Sequence, residues 1–424
     1  MKPEISTGKK PLGVYLHIPF CVRKCLYCDF LSAPASEERI EYYVNLLLRE
    51  MQASADIGQM QDYEAATVYV GGGTPSLLTA RQLEKILCKL SDILPLRTDA
   101  EISMEMNPGT VTKEQLADIK RSGINRLSIG VQSFQDRELL ALGRIHRAAE
   151  VYRLWEWAGQ LDFRNRNLDL MSGIPGQTEE SFRATLDRAV SLEPEHLSVY
   201  SLIVEEGTPF YDRYPDGAVD EETDRQLYAL TKAFLREHGY ERYEISNYAR
   251  DGYACRHNLT YWMRGDYLGF GLGAASLMKE TRFRNAADMA LYGEEIAARE
   301  ACTAKIARRR GETGVSGSVW QQGETAEERT AGQTEKCPVF PYAEREALSV
   351  EERMAETMFL GLRMTRGVSE RAFSRQFGST MQEVYGKVIE KHLKNGLLAH
   401  ENGFFYLTEY GLDVSNYVMA DFLL

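Results

Sequence analysis

Cysteine is scarce in this sequence and unevenly distributed. The 424 residues contain seven cysteines, an odd number, and four of them are scattered along the chain, namely Cys88, Cys255, Cys302 and Cys337. This pattern excludes a disulfide framework of the kind that stabilises small secreted domains. The other three cysteines lie within eight residues. Thiols clustered in this way in a reducing compartment indicate a metal site.

Long apolar runs and an excess of positive charge are also absent. The longest apolar stretches, such as residues 42–48, fall far short of the roughly 20 residues that a membrane span needs, and residues 1–10 are too polar for a signal peptide. The formal charge is −12, from 62 acidic and 50 basic side chains, which disfavours binding to nucleic acid or anionic lipid. We therefore expect a cytoplasmic protein with no integral membrane segment and no nucleic-acid partner.

The chain from about residue 14 to residue 248 alternates strand-like and helix-like segments. Short β-type runs occur at residues 14–18, 67–70, 101–106, 126–129, 167–171 and 196–201. Helix-length segments separate them at residues 37–53, 79–94, 112–122, 136–142 and 178–192. This alternation predicts βα units on a parallel sheet. With roughly six such units, the predicted α/β fold is an incomplete, TIM-like (β/α)6 barrel.

Turns rich in Gly, Pro and polar residues follow three of the predicted strands, at residues 71–75, 107–109 and 172–177. In parallel βα architectures, ligands bind at the carboxyl ends of the strands. The sequence therefore predicts that the binding site lies on the face that these loops form.

The character of the sequence changes after residue 276. Residues 311–336 are rich in Gly, Thr, Glu and Gln and contain one aromatic residue. Such a segment cannot bury enough apolar surface to offset its ordering entropy, so we predict a flexible insertion.

From residue 349 periodic helices return and end in a small hairpin at residues 397–407, which resembles a winged-helix unit. Residues 380–398 are mixed in charge, which favours a structural or partner-docking role over nucleic-acid recognition.

The chain is long enough for more than one domain, because 424 residues exceed the length at which a single hydrophobic core stops growing. The predicted units are a barrel at residues 1–276, a linker with the insertion at 277–347, and a C-terminal helical, winged-helix-like domain at 348–424.

The clustered cysteines Cys21, Cys25 and Cys28 follow the first predicted strand with the spacing C-x3-C-x2-C. Three thiolates from one tight loop can hold three irons of a [4Fe-4S] cubane, which leaves the fourth iron open to an exchangeable ligand. The alternative is zinc, with His17 or Cys255 as the fourth ligand. Structural zinc usually pairs two C-x2-C knuckles, and only one is present here.

The string Y-x-H-I-P-F-C-x3-C-x-Y-C-D-F, at residues 15–30, resembles the radical S-adenosyl-L-methionine (SAM) superfamily. More narrowly, it is similar to the branch that contains oxygen-independent coproporphyrinogen III dehydrogenase and its HemW-like haem-chaperone relatives. The resemblance runs from residue 14 to about residue 276 and resumes in the C-terminal unit. It implies a [4Fe-4S] cluster on Cys21, Cys25 and Cys28, with SAM at the open iron.

Further positions match the cofactor contacts of that family. The resemblance implies SAM contacts at Tyr15, Tyr27, Gly72, Gly73, Thr74, Glu105, Gln132, Arg144 and Asp169. The G-G-G-T-P loop would hold the methionine amino group, Glu105 would accept hydrogen bonds from ribose hydroxyls or an ammonium, and Arg144 would pair with the cofactor carboxylate. Taken singly, these residues are more simply a tight turn, ion pairs or core packing. Their order along the chain is what favours the cofactor interpretation.

Three features distinguish a haem chaperone from the dehydrogenase. The dehydrogenase pattern has a further Cys at the position of Phe30, and it has an N-terminal extension, whereas Cys21 follows only 20 residues here. In addition, residues 257–262 match the H-N-x-x-Y-W string associated with haem binding in HemW-like proteins. An imidazole is a common axial haem ligand, so the resemblance makes His257 the candidate haem ligand. No C-x-x-C-H is present, which excludes c-type haem attachment.

Two functional hypotheses follow. The favoured one is a carrier that binds haem near His257 and delivers it to acceptor proteins, with no catalytic residue assigned. The alternative is an enzyme, namely oxygen-independent coproporphyrinogen III dehydrogenase or a related radical SAM oxidoreductase of porphyrin biosynthesis. A transcriptional regulator acting through the C-terminal unit is disfavoured by the acidic charge.

Overall fold

The computed structural model describes residues 8–313 and 341–423, and a twelve-stranded sheet dominates them. Its strands are β1 (Lys10–Ile18), β2 (Tyr63–Gly72), β3 (Leu96–Met106), β4 (Arg126–Gln132), β5 (Arg166–Ser172), β6 (His196–Ser201), β7 (Glu241–Arg242), β8 (Asn247–Ala249), β9 (Tyr267–Phe270), β10 (Ala275–Met278), β11 (Thr281–Arg284) and β12 (Glu344–Ala347). The spatial order is β12-β11-β10-β9-β1-β2-β3-β4-β5-β6-β8-β7. Strands β1 to β6 pair in parallel, and β1 also pairs in parallel with β9.

Helices connect these strands, and most of them cover the outer face of the sheet. They are α1 (Glu37–Asp56), α2 (Ala80–Ile93), α3 (Lys113–Arg121), α4 (Asp136–Ala141), α5 (Ala148–Gln160), α6 (Glu179–Ser191), α7 (Pro209–Arg213), α8 (Glu221–Glu237), α9 (Arg256–Trp262) and α10 (Met289–Thr313). Three of them begin with a capping box, at Thr79, Thr112 and Thr178. In each, the threonine hydroxyl accepts a hydrogen bond from the backbone N–H three residues on, and the side chain of that residue accepts one from the backbone N–H of the threonine. In the described ranges, no helix combines the length and apolarity that crossing a bilayer requires.

The curved parallel sheet with its outer helices confirms the predicted incomplete barrel. Side chains alternate along each strand, so one face packs under the helices and the other faces the barrel interior. The helix-facing positions are apolar and buried, as at Val68, Met104 and Leu168. Interior positions are polar and hydrogen-bond from strand to strand, as where Asn167 Nδ2 donates to Ser128 Oγ at 2.7 Å. This polar interior carries the residues of the candidate site.

Much of the segment predicted as a linker, residues 277–347, forms regular structure attached to the barrel. Strands β10, β11 and β12 extend the sheet beyond β9, and α10 packs on α1. A buried ion pair joins these two helices, with Arg299 Nη1 2.9 Å from Glu50 Oε1. Most of the predicted insertion and Cys337 lie outside the described residues.

The C-terminal unit has its own core, and it confirms the predicted helices and hairpin. Its elements are α11 (Val350–Arg363), β13 (Val368–Ser369), α12 (Glu370–Phe377), α13 (Met381–Lys394), β14 (Leu398–Glu401), β15 (Phe404–Leu407), α14 (Glu409–Asp413) and α15 (Ser415–Ala420). The three strands form a small sheet in the order β13-β15-β14. The unit meets the barrel at α9, where the Arg363 guanidinium lies 4.4 Å from the centre of the Trp262 ring.

Candidate functional site

The three clustered cysteines lie on the loop that follows β1, at the carboxyl end of the barrel strands. Cys21, Cys25 and Cys28 are all partly buried. Backbone hydrogen bonds fix the loop at both ends, because Cys21 N donates to Ala33 O at 3.2 Å and Leu26 N donates to Leu142 O at 3.1 Å. The sequence prediction of one cysteine-bearing loop at this face therefore agrees with its position in the fold.

The surroundings of the cysteines fit an iron–sulfur cluster. Burial raises the pKa of the Cys28 thiol, and the other two thiols lie close enough to raise it further. The Thr74 hydroxyl lies 3.6 Å from Cys21 Sγ, and Arg144 Nη1 lies 3.7 Å from Cys25 Sγ. Donors aimed at the sulfur atoms stabilise thiolates and tune iron–sulfur clusters.

The two candidate fourth ligands of the zinc alternative, His17 and Cys255, are both engaged in other contacts. His17 uses both ring nitrogens internally, with Nδ1 2.9 Å from the Tyr15 hydroxyl and Nε2 2.9 Å from Leu31 O. Cys255 is buried elsewhere, and its Sγ lies 3.5 Å from Glu101 Oε1 at the amino end of the barrel. Neither of the two residues considered from the sequence is therefore placed to complete a zinc site.

The G-G-G-T-P loop packs directly against the cysteine loop. Gly73 N donates to Ile18 O at 2.9 Å, and Thr74 N donates to Phe20 O at 2.6 Å. Glycine is required here, because a Cβ on Gly73 would lie 2.5 Å from Phe20 O. At Gly72 the backbone φ is +113°, and a Cβ would lie 2.5 Å from His17 Cε1. The close approach of the two loops thus depends on these glycines.

Glu105 and Asp169 place two carboxylates inside the barrel, both partly accessible. Glu105 accepts from the Tyr69 hydroxyl and from Gly72 N, each at 3.0 Å. Desolvation and the charge of Asp169 raise the pKa of Glu105 to about 7. Desolvation also raises the pKa of Asp169, which accepts from the Ser128 hydroxyl at 3.0 Å. Two carboxyl groups in a poorly solvated interior favour a cationic ligand, and SAM carries a sulfonium and an ammonium.

Arg144 and Gln132 converge on Gly130, because Arg144 Nη2 and Gln132 Nε2 would each lie 3.2 Å from a Cβ at that position. Arg144 Nη2 donates to Asn107 Oδ1 at 2.5 Å and to Gly130 O at 2.6 Å. The register between β4 and β5 shifts at Gly130, and Gln132 follows with a φ of +65°. A non-glycine residue in this region is strained, and such strain is concentrated at ligand sites. The sequence identified Arg144 and Gln132, whereas it missed Asn107, which follows β3 directly.

Two tyrosines that the sequence assigned to the cofactor lie on β1 and within the cysteine loop. The Tyr15 ring stacks on the Tyr69 ring with a centroid distance of 6.4 Å. The Tyr27 ring lies 6.3 Å from that of Phe210, and Phe210 N donates to Leu26 O within the cysteine loop. The fold therefore brings together the predicted SAM-contact residues of strands β1 to β5 at one end of the barrel.

His257 lies apart from this group. Helix α9 fills the amino end of the barrel, and His257 is buried there. Its Nδ1 lies 2.8 Å from the Thr67 hydroxyl, and its Nε2 lies 2.8 Å from the Tyr261 hydroxyl. Desolvation and the nearby Arg126 lower the pKa of His257 to about 3, so the imidazole is neutral. Because both nitrogens are engaged and the ring is enclosed, His257 does not fit axial ligation of haem in this conformation.

The fold and the cysteine loop define a class of protein, and comparisons with known proteins agree. The family model described as Radical SAM superfamily matches residues 15–189, and that described as HemN C-terminal domain matches residues 348–414. The solved structure of coproporphyrinogen III oxidase (HemN) from Escherichia coli superposes with a TM-score of 0.78, over 98% of this chain and 91% of that one, at 21% identity. That likeness shows the fold, a barrel with an attached C-terminal domain.

Two curated relatives identify the family to which the chain belongs. The chain is 34% identical to Heme chaperone HemW of Bacillus subtilis strain 168 over 416 residues, which is 97% of this chain and 99% of that protein. It is 44% identical to Heme chaperone HemW of Escherichia coli strain K12 over 265 residues, or 62% of this chain and 69% of the relative. The chain belongs to the HemW family.

Proposed function

We propose that this chain is a haem chaperone of the cytoplasm, which binds haem and transfers it to acceptor proteins. The observation that carries the proposal is the match to a protein named Heme chaperone HemW along nearly the whole length of both chains. Phe30 supports it, because the resemblance implies that a dehydrogenase would have a cysteine at this position. The acidic charge and the clustered free thiols support the cytoplasmic location.

The residues at the carboxyl end of the barrel are proposed to hold the cofactors. Cys21, Cys25 and Cys28 would ligate a [4Fe-4S] cluster, which with bound SAM supplies one-electron chemistry at the sulfonium. Glu105, together with the Gly72 to Thr74 backbone, would hold the methionine ammonium.

Five more residues complete the proposed cofactor site. Arg144 would pair with the cofactor carboxylate, while Gln132, Asp169, Tyr15 and Tyr27 would line its remaining surface. The polar donors beside the sulfur atoms support this assignment, as does the tight packing of the glycine loop on the cysteine loop.

Haem is proposed to bind at the mouth of the barrel. Large apolar side chains are exposed in the segments that follow the strands there, with Phe30 67%, Leu140 75% and Ile203 69% exposed. Exposed apolar side chains that follow three different strands are suited to an apolar macrocycle or to the surface of an acceptor. His257 is buried at the other end of the barrel, so no step of the proposed transfer passes through it.

The test uses the full chain after anaerobic reconstitution with iron and sulfide. Haem titration followed by gel filtration should give a Soret band that saturates at a fixed stoichiometry, and incubation with SAM, reductant and coproporphyrinogen III should give no protoporphyrinogen. Conversion of the porphyrinogen would establish the dehydrogenase alternative. Failure of the chain to retain haem would contradict the proposed carrier function.

A matched pair of variants locates the haem. Phe30→Ser removes an apolar side chain at the mouth, whereas Tyr410→Ser removes one that is 64% exposed in the C-terminal unit. We expect the first substitution to weaken haem binding about tenfold, corresponding to loss of one apolar anchor, and the second to leave it unchanged. Equal effects of the two substitutions would contradict a site at the mouth.

A further inference from the structure

A buried tyrosine connects helix α9 to the carboxylate of the proposed SAM site. Tyr69 lies on β2, and its hydroxyl donates to Glu105 Oε1 at 3.0 Å. On the amino-end side, the Tyr69 ring stacks on the His257 ring, with 5.1 Å between the centroids and 24° between the planes. His257 is held in turn by hydrogen bonds to the Thr67 and Tyr261 hydroxyls. Tyr69 therefore contacts both the H-N-x-x-Y-W segment and Glu105.

The packing around Tyr69 leaves little room for another arrangement. A Cβ on Gly71 would lie 2.9 Å from Tyr69 Cε1 and 3.0 Å from Glu105 Cδ, so glycine allows the ring and the carboxylate to approach the strand. The Tyr15 ring also stacks on Tyr69. With one carboxylate oxygen bound by Tyr69 and the other by Gly72 N, the orientation of Glu105 is fixed from two sides.

The hydroxyl of Tyr69 is suited to this task because it stays protonated. Desolvation and the charge of Glu105 raise the pKa of Tyr69 well above its usual value, so the phenol remains a donor at every physiological pH. A hydrogen bond to an ionised carboxylate is stronger than one between neutral groups. The bond thus favours the ionised form of Glu105, which is the form that an ammonium ligand requires.

We propose that Tyr69 is a positioning residue for SAM, which orients the Glu105 carboxylate, and that His257 acts by packing Tyr69 rather than by ligating haem. The inference rests on the proposed function, since it assumes that Glu105 contacts the cofactor. It assigns a supporting role in the cofactor site to the H-N-x-x-Y-W segment.

The first experiment compares Tyr69→Phe with Tyr63→Phe in the reconstituted full chain. Tyr63 lies on the same strand, is buried, and donates to a carboxylate oxygen of Asp266 at 2.6 Å, so it controls for loss of an equivalent bond away from the site. Equilibrium dialysis should show SAM affinity about tenfold weaker in Tyr69→Phe and within twofold of the unmodified chain in Tyr63→Phe. Iron and sulfide contents should be unchanged in both.

A pH profile of SAM binding separates positioning from general destabilisation. The titratable groups that face Glu105 are Tyr69, Asp169, Tyr15 and Tyr261, and of these Tyr69 donates a hydrogen bond to it. Loss of that bond should move the acid limb of the profile to higher pH in Tyr69→Phe, whereas Tyr63→Phe should keep the original limb. An unchanged limb, or SAM affinity within twofold of the unmodified chain, would overturn the inference.

A third variant, His257→Phe, tests the role assigned to the histidine. It keeps a ring against Tyr69 and removes both nitrogens, so haem titration should match the unmodified chain in stoichiometry and Soret position. Loss of haem at unchanged SAM affinity would show that His257 is a ligand, which contradicts the inference. Should His257→Phe unfold, the Tyr69→Phe results decide alone. If the unmodified chain binds neither SAM nor haem, it is the proposed function that fails.

Discussion

Substitution of Gly73 by alanine gives a direct test of the packing between the glycine loop and the cysteine loop. The new Cβ would lie 2.5 Å from Phe20 O, 2.9 Å from Phe20 N and 3.0 Å from Ile18 O. All three contacts are backbone atoms, so no flexible side chain can move aside. The loops must separate, and the hydrogen bonds that Gly73 N and Thr74 N donate to Ile18 O and Phe20 O are lost or stretched.

The expected loss of stability in Gly73→Ala follows from these contacts. Two backbone hydrogen bonds contribute about 0.5–1.5 kcal/mol each, and overpacking costs about 1–3 kcal/mol, which together give a destabilisation of about 2–6 kcal/mol. Urea unfolding of the chain without cofactors measures this change, and equilibrium dialysis after reconstitution should show weakened SAM binding.

Gly159→Ala is the matched control for this substitution. Gly159 is exposed on α5, and the nearest atom to a new Cβ is Arg166 Nη1 at 3.6 Å. Because alanine favours the helix, we expect a gain of up to about 1 kcal/mol. If Gly73→Ala unfolds at the same urea concentration as the unmodified chain and binds SAM equally well, the argument from steric contact is refuted.

Three further predictions concern titration and ion pairs. The pKa of Glu105 is raised to about 7, so SAM affinity should fall about tenfold per pH unit below that value, as equilibrium dialysis between pH 5.5 and 8 would show. Arg299→Leu leaves the buried carboxylate of Glu50 without its ion pair and should cost about 3–5 kcal/mol in urea unfolding, whereas Arg49→Ala, at an exposed pair, should cost less than about 1 kcal/mol. The pKa of His257 is lowered to about 3 from an unfolded value near 6.5, so the unfolded chain binds the extra proton. Stability should therefore fall below pH 6.5 by up to about 1.4 kcal/mol per pH unit, and His257→Phe should make that dependence shallower.

The sequence predicted the six parallel strands well because each combines a short apolar run with a flanking turn. The sequence pattern did not predict helices α5 and α8. It did not predict α9 either, because the seven residues of that helix carry no apolar periodicity. Strands β9 to β12, which extend the sheet beyond β1, also escaped prediction. Each has four residues, and their pairing depends on partners distant in the chain rather than on a local pattern.

The location of the site was predictable because parallel strands end at the same edge, so polar turns after several strands must converge. The position of His257 in the fold was not predictable from the sequence. A local string identifies chemistry that a segment could perform, but the pairing of β9 with β1 carries α9 to the amino end of the barrel. The strain at Gln132 arises from a register shift between two strands, which no single segment encodes.

The pairing of β1 with both β2 and β9 has a consequence for the order of events during synthesis. The cysteine loop is made within the first 30 residues, but the strand that carries it gains its second neighbour only at residues 267–270. At typical translation rates of 5–20 residues per second, this interval lasts roughly 12–50 s. Until β9 arrives, one edge of β1 is open and the cysteines are attached to an incomplete sheet. Insertion of the proposed cluster into a finished loop would therefore be a late step, after most of the barrel has left the ribosome.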